Sequence, residues 1–151
     1  MYDNWDDLKK SIAECKKCRL CTNRTNIVLG EGNINAKIMF IGEGPGADED
    51  KQGVPFVGKA GQLMNKAFQA LGINREEIYI ANIVKCRPPS NRVPEEDEAQ
   101  ACLNYLRNQV VLIKPEIIVL LGSTALKTIL GKEYGCLLYT SPSPRDRSLS
   151  R

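Results

Sequence analysis

The chain of 151 residues contains no histidine, so any metal site in it must be built from thiolates or carboxylates, and no imidazole can serve as acid, base or ligand. No apolar run approaches the length a membrane-spanning helix needs. The first seven residues have neither the basic flank nor the apolar core of a secretory signal. Internal repeats and an interdomain linker are also missing. With 42% hydrophobic residues, the chain has enough apolar content to bury one core. These absences lead to the expectation of a single soluble, cytoplasmic, monomeric domain.

A strong charge is missing too. The formal net charge is +3, and much of it comes from the carboxyl end, where Arg145, Arg147 and Arg151 face only Asp146. From Cys136 the chain reads Cys-Leu-Leu-Tyr-Thr-Ser-Pro-Ser-Pro-Arg-Asp and then Arg-Ser-Leu-Ser-Arg, without helical or strand periodicity. The run to Asp146 looks like the in-frame translation of a sequencing-library adaptor. Residues 1–135 are therefore taken as the natural domain and residues 136–151 as a non-native tail, expected to be disordered. The net charge gives no argument for nucleic acid, which must be sought in local clusters of basic groups. Lys85, Arg87 and Arg92 form the best one.

What is present is a pattern of short apolar runs alternating with helical stripes. Residues 36–41 read as a strand ending in the turn Gly42-Glu43-Gly44-Pro45-Gly46, which places Glu43 at a strand's carboxyl end, where open α/β sheets build their sites. A loop of about fifteen residues follows, long enough to suggest function. It carries an acidic run at residues 48–50, which reads as a solvated face, and Phe56. The next helix shows Ala60, Leu63, Met64, Ala67 and Leu71 on one face and ends at Gly72. Residues 77–81 form a second strand, bringing Asn82 to the same sheet edge as Glu43 through a right-handed crossover. Pro94 opens the longest helix, with a core stripe of Ala99, Leu103, Leu106, Val110 and Ile113. Residues 117–121 read as a buried parallel strand, and a helix follows from Gly122-Ser123-Thr124. At the amino end, Asn4 caps a short helix with Trp5, Leu8 and Ile12 on its apolar side.

That first helix delivers Cys15-Lys16-Lys17-Cys18-Arg19-Leu20-Cys21, two consecutive C-x2-C spacings that let thiolates converge locally. Cys86 and Cys102 supply two more. Cys15, Cys18, Cys86 and Cys102 are the expected ligands, with Cys21 as a competitor for a place. Zinc usually draws on two tight C-x2-C knuckles, which Cys86 and Cys102 do not form. The expected cofactor is therefore a [4Fe-4S] cluster.

Several separated motifs now resemble one family. They are Gly42-Glu43-Gly44-Pro45-Gly46, Glu49-Asp50, Gly53-Val54-Pro55-Phe56-Val57-Gly58, Ala60-Gly61, Asn82-Ile83-Val84-Lys85-Cys86-Arg87-Pro88-Pro89 and Leu121-Gly122-Ser123-Thr124-Ala125. Together they are similar to the family 4 uracil-DNA glycosylases of bacteria and archaea, a likeness covering nearly all of residues 1–131. It implies a three-layer α/β/α fold around a four-stranded parallel sheet, a structural iron–sulfur cluster and hydrolytic excision of uracil from DNA. It further implies that Glu43 orients or activates water and supports the cationic sugar. Phe56 would stack on the flipped base, Asn82 would read the uracil edge, and the backbone from Gly42 through Gly44, Pro45 and Gly46 would border the pocket.

The chain departs from the family at its end. Members continue with a strand and a motif in which histidine precedes proline, held to stabilise the departing uracil, and this chain has no histidine. The fold is expected to be incomplete there, with core surface exposed and the fragment impaired. Two other classes stay open. One is a superfamily relative that binds uracil-DNA without turnover, which should carry a basic, histidine-containing insertion not seen between Cys86 and Pro94. The other is a non-enzymatic iron–sulfur DNA-binding domain, which would not need Phe56 and Asn82 beside strand ends.

Overall fold

Asn4 caps helix α1 (Trp5–Ala13) as the sequence requires, its Oδ1 accepting the Asp7 N–H at 2.9 Å. The computed structural model describes residues 1–131, so the proposed tail over residues 136–151 lies outside the described residues. After α1 come a 3₁₀ turn at Arg19–Thr22, strand β1 (Glu31–Gly32), strand β2 (Ile38–Gly42) and helix α2 (Ala47–Gln52). Then follow helix α3 (Lys59–Leu71), strand β3 (Tyr79–Asn82), helix α4 (Glu96–Ile113), strand β4 (Ile117–Leu120) and helix α5 (Ser123–Leu130).

The strands form one sheet in the order β1-β3-β2-β4. Strands β2, β3 and β4 are parallel, with Gly42 paired to Asn82 and Phe40 to both Ile80 and Val119. The expected wholly parallel sheet is corrected at β1, which runs antiparallel to β3. The connection from β1 to β2 is too short for the crossover that a parallel edge would demand. It turns through Asn33, whose N–H donates to Ile78 O at 3.0 Å and whose Oδ1 accepts from Asn35 N at 2.8 Å. Gly32 makes the pairing possible. A Cβ there would lie 1.9 Å from Ile78 O, and its φ of 131° suits glycine alone.

Side chains alternate across each strand. Met39, Ile41, Tyr79 and Ala81 therefore meet Leu8 and Ile12 of α1 and Leu103 and Leu106 of α4 in one core. Phe40 and Ile80 point the other way and pack with Phe68 of α3, the Phe40 and Phe68 rings lying 5.0 Å apart. Each of these phenylalanines contributes on the order of 2 kcal/mol by leaving water. The same alternation puts Gly42 and Asn82 on the α3 face.

Two expectations about faces are corrected. Helix α3 ends at Gly72 in the left-handed conformation, as its sequence implies. It buries Gly61 and Phe68, however, and leaves Leu63 and Leu71 71% and 72% exposed. Gly61 lies against the backbone of Phe56, and that contact sets the rotation of the helix. Strand β4 occupies the expected place but is not buried on both faces, Ile117 being 55% exposed. Among the described residues it is an edge strand.

Candidate active site and thiol cavity

The carboxyl ends of β2 and β3 open onto a cavity of about 240 Å³. Glu43, Gly44, Pro45, Gly46, Phe56 and Asn82 line it. Gly42 is not among the lining residues but lies against two of them, and a Cβ there would come within 2.4 Å of Phe56 Cζ and 2.7 Å of Asn82 Oδ1. Ring, amide and backbone thus converge at a point that only a residue without a side chain leaves open. Asn82 is 2% exposed. Among the described residues its Oδ1 is the one buried side-chain oxygen or nitrogen with no hydrogen-bond partner. A buried amide oxygen left unpaired costs on the order of 1–3 kcal/mol, so its retention points to a partner from outside the chain. Glu43 is held from α5, Thr124 Oγ1 donating to its Oε2 at 2.5 Å.

The acidic run at residues 48–50 is not a solvated face, which corrects the sequence reading. Asp48 faces solvent, but Glu49 and Asp50 turn inward from α2. Asp50 Oδ1 accepts the N–H groups of Thr25 at 2.9 Å and Asn26 at 3.2 Å, pinning the segment after the first three cysteines. Glu49 accepts from Gly46 N at 3.0 Å, Val57 N at 2.8 Å and Gly58 N at 2.7 Å, drawing both ends of the long loop together. Burial opposes ionisation of Glu49, yet these N–H groups outweigh it and hold the carboxyl below its ordinary value. The sequence signal was available: a glutamate three residues after the turn glycine has capping-box spacing.

The proposed basic cluster is also corrected. Lys85 is 2% exposed, its Nζ donating to Asn82 O at 3.0 Å and Gln109 Oε1 at 2.6 Å. Burial pushes its ammonium down to about 8. Arg87 donates to Asn91, and Arg92 forms a two-pronged pair with Glu98. Lys85 joins the strand end that presents Asn82 to α4, and it does not lie on a surface that could meet phosphate. Sequence reasoning assigned no role to Glu49, Arg75 or Thr124.

Behind that strand end, Cys15, Cys18, Cys21, Cys86 and Cys102 line a second cavity. Cys15 follows α1, Cys18 opens the 3₁₀ turn, Cys86 lies after β3 and Cys102 is on α4. Arg24 donates to Cys86 Sγ at 3.4 Å and to Cys15 O at 2.8 Å. Burial pushes the Cys86 thiol up to about 11 against the opposing pull of Arg24, and burial raises Cys102 against Lys85. Among the described residues no three cysteine or carboxylate side chains converge closely enough for a single ion. The cavity the cysteines line is small, about 20 Å³.

The fold is thus an α/β sheet with one cavity at the carboxyl ends of β2 and β3 and a second, thiol-lined cavity beside it. Residues 29–151 match the model of the uracil DNA glycosylase superfamily, and the chain belongs to that superfamily. Within it the chain is similar to the type-4 uracil-DNA glycosylase of Thermotoga maritima, with 50% identity over 119 residues covering 79% of this chain and 62% of the relative. It is 50% identical over 131 residues to the type-4 enzyme of Sulfurisphaera tokodaii, covering 86% and 60% of the two chains. Over 121 residues it is 52% identical to that of Saccharolobus solfataricus, covering 80% and 56%. The chain spans about three fifths of the length of the curated relatives it matches.

Proposed function

We propose that the protein carrying this chain acts as a monomer on uracil-containing DNA and hydrolyses the bond between uracil and deoxyribose. The observation that carries this reading is the unpaired Asn82 Oδ1, buried beside the Phe56 ring above Gly42. A planar base sliding over Phe56 would gain roughly 1–3 kcal/mol from stacking, whatever its identity. Identity would come from the Asn82 amide. It offers one acceptor and donors to the imide edge of uracil, while the exocyclic amine of cytosine would leave it mismatched. Extrusion of the nucleotide must come first, because the bond is inaccessible within the stack.

Glu43, steadied by Thr124, stands at the same cavity. Its carboxylate would hold a water against C1′ and offset the positive charge growing on the sugar as the bond to N1 lengthens. The bonding electrons leave with uracil N1, the water oxygen bonds to C1′ and Glu43 takes the proton. The resemblance assigns stabilisation of the departing base to a histidine, and this chain has none.

Cys15, Cys18, Cys86 and Cys102 would hold a [4Fe-4S] cluster that cross-links α1, the loop after β3 and α4. Lys85 and Arg24 would lie beside its thiolates. The cluster would supply stability and no step of the hydrolysis.

The test uses single-turnover excision from an oligonucleotide containing one uracil. Glu43→Ala and Asn82→Ala should each slow the full-length protein by orders of magnitude and leave the visible absorption of the cluster unchanged. Parental rates in both variants would refute the site assignment.

A further inference from the structure

Phe56 has a φ of 52°, a left-handed backbone that bulky residues seldom adopt. Such outliers persist only where their surroundings over-determine them. Both peptide planes flanking Phe56 are held. Arg75 donates through Nη2 to Pro55 O and through Nη1 to Phe56 O at 3.0 Å. Glu49 accepts from Val57 N at 2.8 Å, which lies in the same plane as the Phe56 carbonyl, and from Gly58 N at 2.7 Å. A cation thus grips the two carbonyls and a carboxylate the two N–H groups that follow. With the plane before and the plane after residue 56 fixed, its φ and ψ have little freedom left.

The grip is itself anchored. Arg75 also donates to Asn65 Oδ1 on α3 at 2.9 Å and to Glu31 Oε1 on β1 at 3.3 Å. Glu49 reaches back to Gly46 N at 3.0 Å, at the rim of the cavity. Gly61 completes the enclosure, since a Cβ there would stand 2.0 Å from Phe56 O. What the strained backbone achieves is placement: the ring tip lies over Gly42, next to Asn82 Oδ1. Relaxed to an ordinary negative φ, residue 56 would swing its ring away from that spot, and each binding event would have to order it again.

We propose that Arg75 and Glu49 form an oppositely charged clamp that locks the Phe56 ring in its stacking position before a base arrives, making Arg75 a positioning residue for base recognition. The inference rests on reading Phe56 as the stacking platform.

A double-mutant cycle in the full-length protein tests it, with single-turnover uracil excision as the readout and melting temperature and cluster absorption as checks on folding. Arg75→Met should slow excision about tenfold in the parental background, a loss within the range of a weakened stack. In the Phe56→Ala background the same change should have little further effect. Arg75→Lys, which still donates to the carbonyls, should recover part of the rate. If Arg75→Met does not fold, Glu49→Gln supplies the second corner of the cycle and should show the same dependence on Phe56. Equal losses in both backgrounds would overturn the clamp and leave the stacking reading intact. A Phe56→Ala variant that excises at the parental rate would overturn the stacking reading and the clamp with it.

Discussion

At the scale of single residues, the site consists of side chains held by partners remote in sequence. Thr124 is the simplest case. Its hydroxyl reaches Glu43 across 81 positions, and no periodicity joins the two. Thr124→Val should lower the single-turnover rate about tenfold, the order of one lost hydrogen bond to a charged group, without weakening affinity for uracil-DNA. Thr124→Ser should restore the rate. An equal loss of affinity and rate would show that Thr124 only shapes the cavity. Gly61 makes a structural counterpart. Its close approach to the Phe56 backbone means that Gly61→Ala should destabilise the fold by about 1–3 kcal/mol, read from urea unfolding. Glu43 and Asn82 drew notice because strand ends and Gly-rich turns have local signatures, whereas Phe56 drew it through the family resemblance. Glu49 carried a local capping signal that went unused, whereas Arg75 and Thr124 bear their meaning only through partners a linear pattern cannot show.

At the scale of elements, sequence periodicity located the helices better than it oriented them. The stripe expected on α3 is regular, yet contact with the Phe56 backbone turns Gly61 and Phe68 inward in place of Leu63 and Leu71. Helix α4 kept its expected stripe but also buries Glu98, Asn108 and Gln109, polar positions that periodicity assigns to solvent. Glu98 closes the first turn of α4 by accepting from Glu95 N at 2.8 Å, and it binds Arg92 at 2.8 and 2.9 Å. The Arg92 guanidinium holds the Glu98 carboxyl below its ordinary value against the cost of burial. Because the folded-state values of Glu98 and Glu49 are lowered, their stabilisation is fully present above the ordinary glutamate value of about 4.3 and fades as pH falls through the lowered values. Urea midpoints should therefore drop on acidification below about pH 4.3. Glu98→Gln should flatten that drop and cost about 2–3 kcal/mol at neutral pH. The cysteines belong to this scale as well, since those after α1, in the loop after β3 and on α4 line one cavity. Protein purified without oxygen should contain about four irons per chain. Cys86→Ser should lose the brown absorption and Cys21→Ser should keep it. Stoichiometric zinc and a colourless protein would contradict the proposed cluster.

At the scale of the whole molecule, the α/β class was legible because short apolar runs alternate with helical stripes, the signature of crossover units. The mixed sheet was not, because the antiparallel edge is the dipeptide Glu31–Gly32, too short to leave a periodic trace. Among the described residues no helix is long and apolar enough to cross a membrane. The two cavities share the end of β3: Asn82 serves one, Cys86 lines the other, and Lys85 bonds the Asn82 carbonyl between them. The cavity lined by Glu43, Phe56 and Asn82 is proposed to release uracil from DNA. The most direct measurement of this is a mass balance on a uracil-containing oligonucleotide incubated with the full-length protein, following free base and abasic strand together. Free uracil and an alkali-labile abasic site are expected in equal amounts, with none from the same oligonucleotide carrying cytosine. DNA retained in a stable complex with no free uracil would contradict it.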